Sequence, residues 1–237
     1  MQVAIHQPQY WPWPRYIHKV MSADVFVYLD TVQFGKNGLQ NRNQIRTSQG
    51  PLWLTIPVKQ QLGQTIRETK IADTGAAQKH WKTLAHNYSG TPGFPLWRDE
   101  LDRMLHCRTG SLCEVAVATT EWMLEKLGVD NRRIRASEMP EAQGQGSVLI
   151  AEICRSLGAT SYLTGSGALE YMKREDFSDI NCEVWAQGWS GLDYQQAQPQ
   201  VEFIPDLSTL DLLLNCPDTA SQLIQSAGSW KLLWPLE

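Results

Sequence analysis

The apolar positions of this 237-residue chain follow two periods that change at readable places. "MQVAIHQP" opens as a short apolar run stopped by Pro8, which predicts a buried strand. "YIHKVMSA" has the spacing of a helix, and "DVFVYLD" turns β-rich again. Strand, helix and strand in that order predict parallel pairing through a right-handed crossover, with any site at the carboxyl ends of the strands. Residues 32–47, "VQFGKNGLQNRNQIRT", are polar and punctuated by glycine; "WLTIPV" follows as a strand whose hairpin partner is expected around Thr65 to Ile71. From Gly75 to Gly128 the period is helical in three stretches, "AAQKHWKTLAHNYSG", "FPLWRDELDRMLHC" and "SLCEVAVATTEWMLEKLGV". A polar linker from Arg135 to Gly146 leads into "GSVLIAEICRSLGATSYLTGSGALEYM", read as helix, strand, small-residue loop and helix. The tail adds a strand in "NCEVWAQGW" and a helix in "LSTLDLLLNCP", with Ser208 as its N-cap and Asp211 as the capping-box residue.

This pattern predicts one α/β domain over residues 1–237, built on a Rossmann-like, mostly parallel sheet. A small β insertion is expected at about 32–72 and a helical segment at about 75–128.

Composition narrows the function classes. A 42% hydrophobic fraction with 19% charged residues is ordinary for a globular chain, and a net charge of −4 gives no general attraction for nucleic acid or anionic lipid. No charged leader followed by an apolar stretch opens the sequence, so the expectation is a cytoplasmic protein without a membrane span. Five cysteines, odd in number, widely spaced and without a CxxC pair, argue against a disulfide framework or a zinc knuckle. Ten tryptophans lie beside Pro, Gly, His and Lys; some are expected to line a pocket and others to anchor the core. There is no GxSxG elbow, HExxH, EF-hand loop or phosphate loop, and metal dependence stays open, because scattered Asp24, Asp30 and Asp73 are able to hold Mg²⁺ without any readable spacing. The sequence names no cofactor and no oligomeric state.

Candidate chemistry concentrates in a few stretches. His6 ends the first strand, where an imidazole suits proton transfer near neutrality or, equally, a hydrogen bond to the loop backbone. Beside it, Gln7 and Tyr10 are candidates to read a polar ligand, and Trp13 and Tyr16, with Trp11, to stack on a sugar face or a base. Asp30 ends the second strand. In Asn41-Arg42-Asn43 the guanidinium suits a carboxylate or phosphate and the amides suit hydroxyls, although a plain turn uses the same residues. Helical spacing puts Lys79, Lys82 and His86 on one side, with His80 and Asn87 on a neighbouring stripe; the arrangement fits an anionic substrate or a solvated face. Gly165-Ser166-Gly167, between a strand and an expected helix, is a candidate phosphate or carboxylate cradle, or a tight turn.

"IHQPQYWPWPRYIHKVMSADVFVYLDTVQFGKNGLQNRNQIRTSQGPLWLTIPV", "KHWKTLAHNYSGTPGF", "GATSYLTGSGALEYM" and "FIPDLSTLDLLLNCP", in this order, resemble the WbqC-like protein family. The resemblance covers His80, Trp81, Lys82, Asn87 and Tyr88 and adds weight to a functional role for that helix. It implies a place among bacterial surface-polysaccharide functions, notably O-antigen, and a transferase role that includes glycine transfer to a sugar. Arg15 stands where the family pattern has Gly. A weaker similarity, in architecture alone, is to nucleotidyltransferase-type HUP folds such as pantothenate synthetase; their HxGH motif is replaced here by Trp13-Pro14-Arg15-Tyr16. The expected activity is a cytoplasmic transferase acting on a nucleotide-activated or phosphorylated sugar, or on an acyl or aminoacyl donor. His6 is the candidate base, with Lys82 and His80 as further catalytic candidates. The alternative is a non-catalytic protein that binds a sugar or a partner in the same pathway. The expected ligand in both cases is a small anionic or sugar-containing molecule.

Overall fold

Val3, Ala4 and Ile5 are almost wholly shielded from solvent because the strand they form, β1 (Gln2–His6), lies inside a sheet that is covered on both faces. A computed structural model describes residues 1–106, 109–197 and 202–235. After β1 come α1 (Pro14–Met21), β2 (Val25–Tyr28), β3 (Arg42–Thr47), β4 (Gly50–Thr55), β5 (Val58–Lys59) and β6 (Lys70–Ile71). Then follow α2 (Ala76–Tyr88), α3 (Phe94–His106), α4 (Leu112–Lys126), β7 (Arg132–Arg135), α5 (Gly146–Leu157) and β8 (Ser161–Thr164). The chain closes with β9 (Glu183–Trp189), α6 (Thr209–Asn215), α7 (Ala220–Ala227) and β10 (Gly228–Trp234).

The central sheet has the order β10-β9-β8-β1-β2-β7, parallel throughout except for β10 against β9. The chain therefore runs outward from β1 to β2 and β7, then returns to the other side of β1 for β8 and β9. At such a reversal the connections leave the two neighbouring strands in opposite directions, and a crevice opens beyond their carboxyl ends. The expectation of an α/β fold with a mostly parallel sheet holds.

One face of the sheet, through Ala4, Phe26, Tyr28 and Leu163, packs with Tyr16, Ile17 and Val20 of α1, Met123 of α4 and Ile224 of α7. The other face, through Val3, Ile5, Val25, Val27 and Tyr162, packs with Leu149, Ile150 and Ile153 of α5. Alternation along β1 and β2 assigns these faces, as strand geometry requires. No helix of the described residues is long and apolar enough to cross a membrane.

Several sequence expectations are corrected. β4 pairs with β3, inside the stretch read as a polar loop, and only Val58–Lys59 pairs with Lys70–Ile71. β3 escaped notice because its buried polar side chains bond to distant partners: Asn43 Nδ2 donates to Trp11 O at 2.7 Å and Arg46 Nε to Ala197 O at 2.6 Å. No α-helix follows Gly165-Ser166-Gly167; a single 3-10 turn, Ser166–Ala168, stands there. The two glycines lower helix propensity, and the chain turns back to bury Met172. Ser208 does cap α6, accepting from Leu210 N at 3.1 Å. Asp211 instead accepts from the Tyr88 and Tyr194 hydroxyls at 2.5 and 2.7 Å. Cys107, the last residue of the second expected helix, lies outside the described residues.

Candidate functional site

The reversal between β1 and β8 brings two loops face to face: His6-Gln7 after β1, and Gly165-Ser166-Gly167 after β8. α1 roofs the gap. Pro14 starts this helix with its fixed φ and no N–H to lose, and Gln187 of β9 holds the first turn in place. Gln187 Nε2 donates to Arg15 O at 3.0 Å and to His18 Nδ1 at 2.8 Å. His18 in turn stacks on Trp230 of β10, with ring centroids 5.6 Å apart.

Two adjoining cavities occupy this crevice. One, of about 210 Å³, is lined by His6, Gln7, Lys19, Gly165 and Gly167 and floored by Ile5, Leu29, Ile150, Tyr162, Ala168 and Tyr171. The other, of about 250 Å³, is lined by Trp13, Arg15, Tyr16, Ser166 and Gln187 and shares His6, Lys19, Gly165 and Gly167 with the first. Among the described residues no Asp or Glu lines either one. Arg15 Nη2 donates to Ser166 Oγ at 3.0 Å, fastening the start of α1 to the glycine loop.

Two nitrogen bases meet where the cavities join. His6 Nδ1 lies 3.1 Å from Gln7 O; because a carbonyl only accepts, Nδ1 carries the proton and Nε2 remains an acceptor. The His6 ring lies edge-on to Tyr16 at 4.8 Å. Burial, with the nearby Lys19 charge, pushes its pKa down to about 3, so His6 is neutral at physiological pH. A measured titration of the His6 imidazole by NMR is therefore expected to show no step between about pH 5 and 8; a midpoint in that range would restore it as an ordinary near-neutral base. Lys19 is 4% exposed, and burial, with the neighbouring Arg15 charge, brings its pKa down to about 7.

The sequence-nominated residues separate into two groups. His6, Gln7, Trp13, Tyr16, Gly165, Ser166 and Gly167 line the crevice. Tyr10 and His80 are buried against each other, Tyr10 Oη to His80 Nδ1 at 2.8 Å, and burial pulls the His80 pKa down to about 4. Asn41 Nδ2 donates to Ile56 O at 2.8 Å, and Arg42 lies over the Trp53 ring at 4.4 Å. Asn43 is spent on Trp11 O, Asn87 Nδ2 donates to Thr83 O within α2 at 2.8 Å, and Tyr88 belongs to the Asp211 cluster. Asp30 accepts from Ser137 N and Oγ at 2.9 and 2.7 Å. Lys82 is exposed on α2 and lines neither cavity. Lys19 and Gln187 were not nominated; Lys19 sits four residues after Arg15, one turn along the helix that carries the aromatic loop, and that spacing was the available signal. Among the described residues no group of three or more His, Cys, Asp or Glu is placed to hold a metal ion.

The model of the WbqC-like protein family matches residues 7–223. The chain belongs to the WbqC-like protein family. The match takes in the aromatic loop, α1 and the glycine loop, so the crevice of this WbqC-like protein falls almost wholly inside it. An uncharacterized protein of Mycobacterium tuberculosis (strain ATCC 25618 / H37Rv), Rv1507c, is 32% identical over 225 residues, which is 90% of this chain and 93% of that protein. No solved structure matches this WbqC-like chain.

Proposed function

We propose that this WbqC-like protein is a transferase of bacterial surface-polysaccharide assembly. Its substrate in this reading is a nucleotide-activated or phosphorylated sugar, or an acyl or aminoacyl donor such as a glycyl donor. The observation that carries the reading is the crevice at the strand-order reversal, which holds Arg15 and Lys19 and, among the described residues, is lined by no carboxylate. Such a lining favours an anionic ligand, and open α/β sheets bind ligands at this point. In this reading the mostly parallel sheet is of Rossmann-like, HUP type and the whole chain is one domain. In this assignment Trp13 offers a flat face to a sugar or base, Tyr16 backs the wall of the crevice from the core, Gln7 reads hydroxyls, and His6 Nε2 accepts a hydrogen bond from the ligand. Activated donors of this kind place the reaction in the cytoplasm.

The test is a thermal-shift screen of nucleotides, nucleotide-sugars, acyl-CoAs and amino acids, followed by mass spectrometry of any ligand that binds. A donor at about a hundred times its Kd adds roughly 2.7 kcal/mol, several degrees for a chain of this size. Conversion of that donor supports a transferase. Return of the donor unchanged in the presence of candidate acceptors favours the binding-protein alternative, and no shift by any donor class removes the reading.

A further inference from the structure

Lys19 carries an amine without a counter-charge among the described residues. It is buried, and among the described residues neither a hydrogen bond nor an ion pair reaches its Nζ. The polar groups around it come from α1, β1, β8 and β9, while α5 adds only the apolar Ile150. Arg15 and His18 are on its own helix, His6 is on β1, Gln187 is on β9, and Tyr162 and Tyr171 are on β8 and the loop beyond it. Of these Arg15 alone is positive at neutral pH, because burial holds both imidazoles below their ordinary pKa, and none is negative. A buried ammonium is tolerated when something pairs with it, and no group of the described residues does so here.

The space for a partner is present. A Cβ added to Gly165 would lie 3.3 Å from Lys19 Nζ, so the missing side chain keeps the approach to the amine open. Lys19 lines both cavities and stands where they meet. Arg15 commits Nε and Nη2 to Ser166 and Gln187 but donates nothing from Nη1 to the described residues.

We propose that Lys19 is the anchor for a phosphate group of the ligand, seated between Lys19 Nζ, the Arg15 guanidinium and the backbone of Gly165-Ser166-Gly167. The inference rests on the reading above that this crevice is the substrate site, and it adds the class of group that must enter it. Two cations with no acid call for two negative charges, which a phosphate monoester or a diphosphate supplies and a single carboxylate does not. The amine, held near neutrality while the site is empty, becomes fully protonated when the anion arrives, so binding brings in a proton.

Calorimetric titration of the full chain with inorganic pyrophosphate, and with succinate as a dicarboxylate of similar charge, tests the anchor. The expected result is pyrophosphate binding that weakens by about tenfold or more in Lys19→Met. Gly165→Ala is the second variant, because φ −87° and ψ 162° suit alanine; its methyl group fills the space at the amine, and binding is expected to weaken comparably while Tm changes little. In the unmodified protein, NMR of the lysine side chains should show the Lys19 titration midpoint rising by about one unit or more when pyrophosphate is added. Pyrophosphate binding that neither variant weakens overturns the anchor, as does an unmoved midpoint or no binding at about 10 mM. Succinate binding as tight as pyrophosphate overturns the phosphate assignment. Pyrophosphate held through Lys19 with no donor converted would sink the transferase reading and leave the anchor standing. A donor converted equally well by Lys19→Met would do the reverse.

Discussion

Replacing Lys19 by methionine is expected to stabilise the protein by about 3 kcal/mol at pH 7, on the order of the cost of holding an amine whose pKa has fallen by several units. Burial and the Arg15 charge bring that pKa from the ordinary 10.5 down to about 7, and Lys19 has no compensating partner among the described residues. Methionine keeps much of the unbranched stem that packs along α1 and removes the charged end. The difference between the two proteins should depend on pH. Between about 7 and 10.5 the unfolded chain holds a proton that the native chain has released, so the stability of the Lys19 protein rises across that window. Below about 7 the native amine is protonated too, and the penalty is present in full. Urea unfolding of both proteins at pH 7 and near pH 10 checks this: the gap should be large at the first and shrink toward the second. Equal stability at pH 7 would mean that the amine is compensated. A residue that lowers stability this much is retained where function needs it, which links the stability measurement to the site.

The residues show why part of this site was legible in the sequence and part was not. His6, Gln7 and the glycine loop were readable because each ends a short apolar run, and the ends of parallel strands are where such folds place ligands. Lys19 was not, because one helix at 3.6 residues per turn predicts a single apolar stripe, and Lys19 falls outside it in "PRYIHKVM". It is buried through long-range packing: β8, the glycine loop after it and β9 bring Tyr162, Gly165 and Gln187 to that side of α1, from positions roughly 140 to 170 residues away. The same reason works in reverse for Tyr10, His80 and Asn43. Their side chains look ready for a ligand, yet each is used on a partner tens of residues distant. β7, "RRIR", was invisible for a related cause. It is an edge strand, and its arginines pair outward with α4, Arg133 to Glu121 at 2.9 Å and Arg135 to Glu114 at 2.5 Å.

Removing the Asp211 side chain is expected to cost about 3–5 kcal/mol, because it strips the shared acceptor from two buried hydroxyls at once. Asp211 is fully shielded, with Tyr88 Oη on one oxygen and Tyr194 Oη on the other. Tyr88 Oη also accepts from Arg46 N at 3.0 Å, so the cluster ties α6 and α2 to strand β3 of the insertion. In Asp211→Ala both hydroxyls lose that acceptor. Tyr194→Phe removes one of the two bonds and should cost only about 1 kcal/mol, which separates the network from general damage to α6. The pH dependence has a definite sign. Burial raises the Asp211 pKa above its ordinary 3.8, and the two tyrosine bonds and the Arg46 charge offset only part of that. The native chain therefore keeps a proton that the unfolded chain has lost, and the Asp211 contribution to stability falls as pH rises through the window above 3.8. Denaturant unfolding of the protein and of Asp211→Ala across that window should show the slope in the first and its absence in the second. Because Asp211 lines neither cavity of the crevice, pyrophosphate affinity should survive in the folded fraction of the variant, whereas Lys19→Met should show the opposite pair of effects.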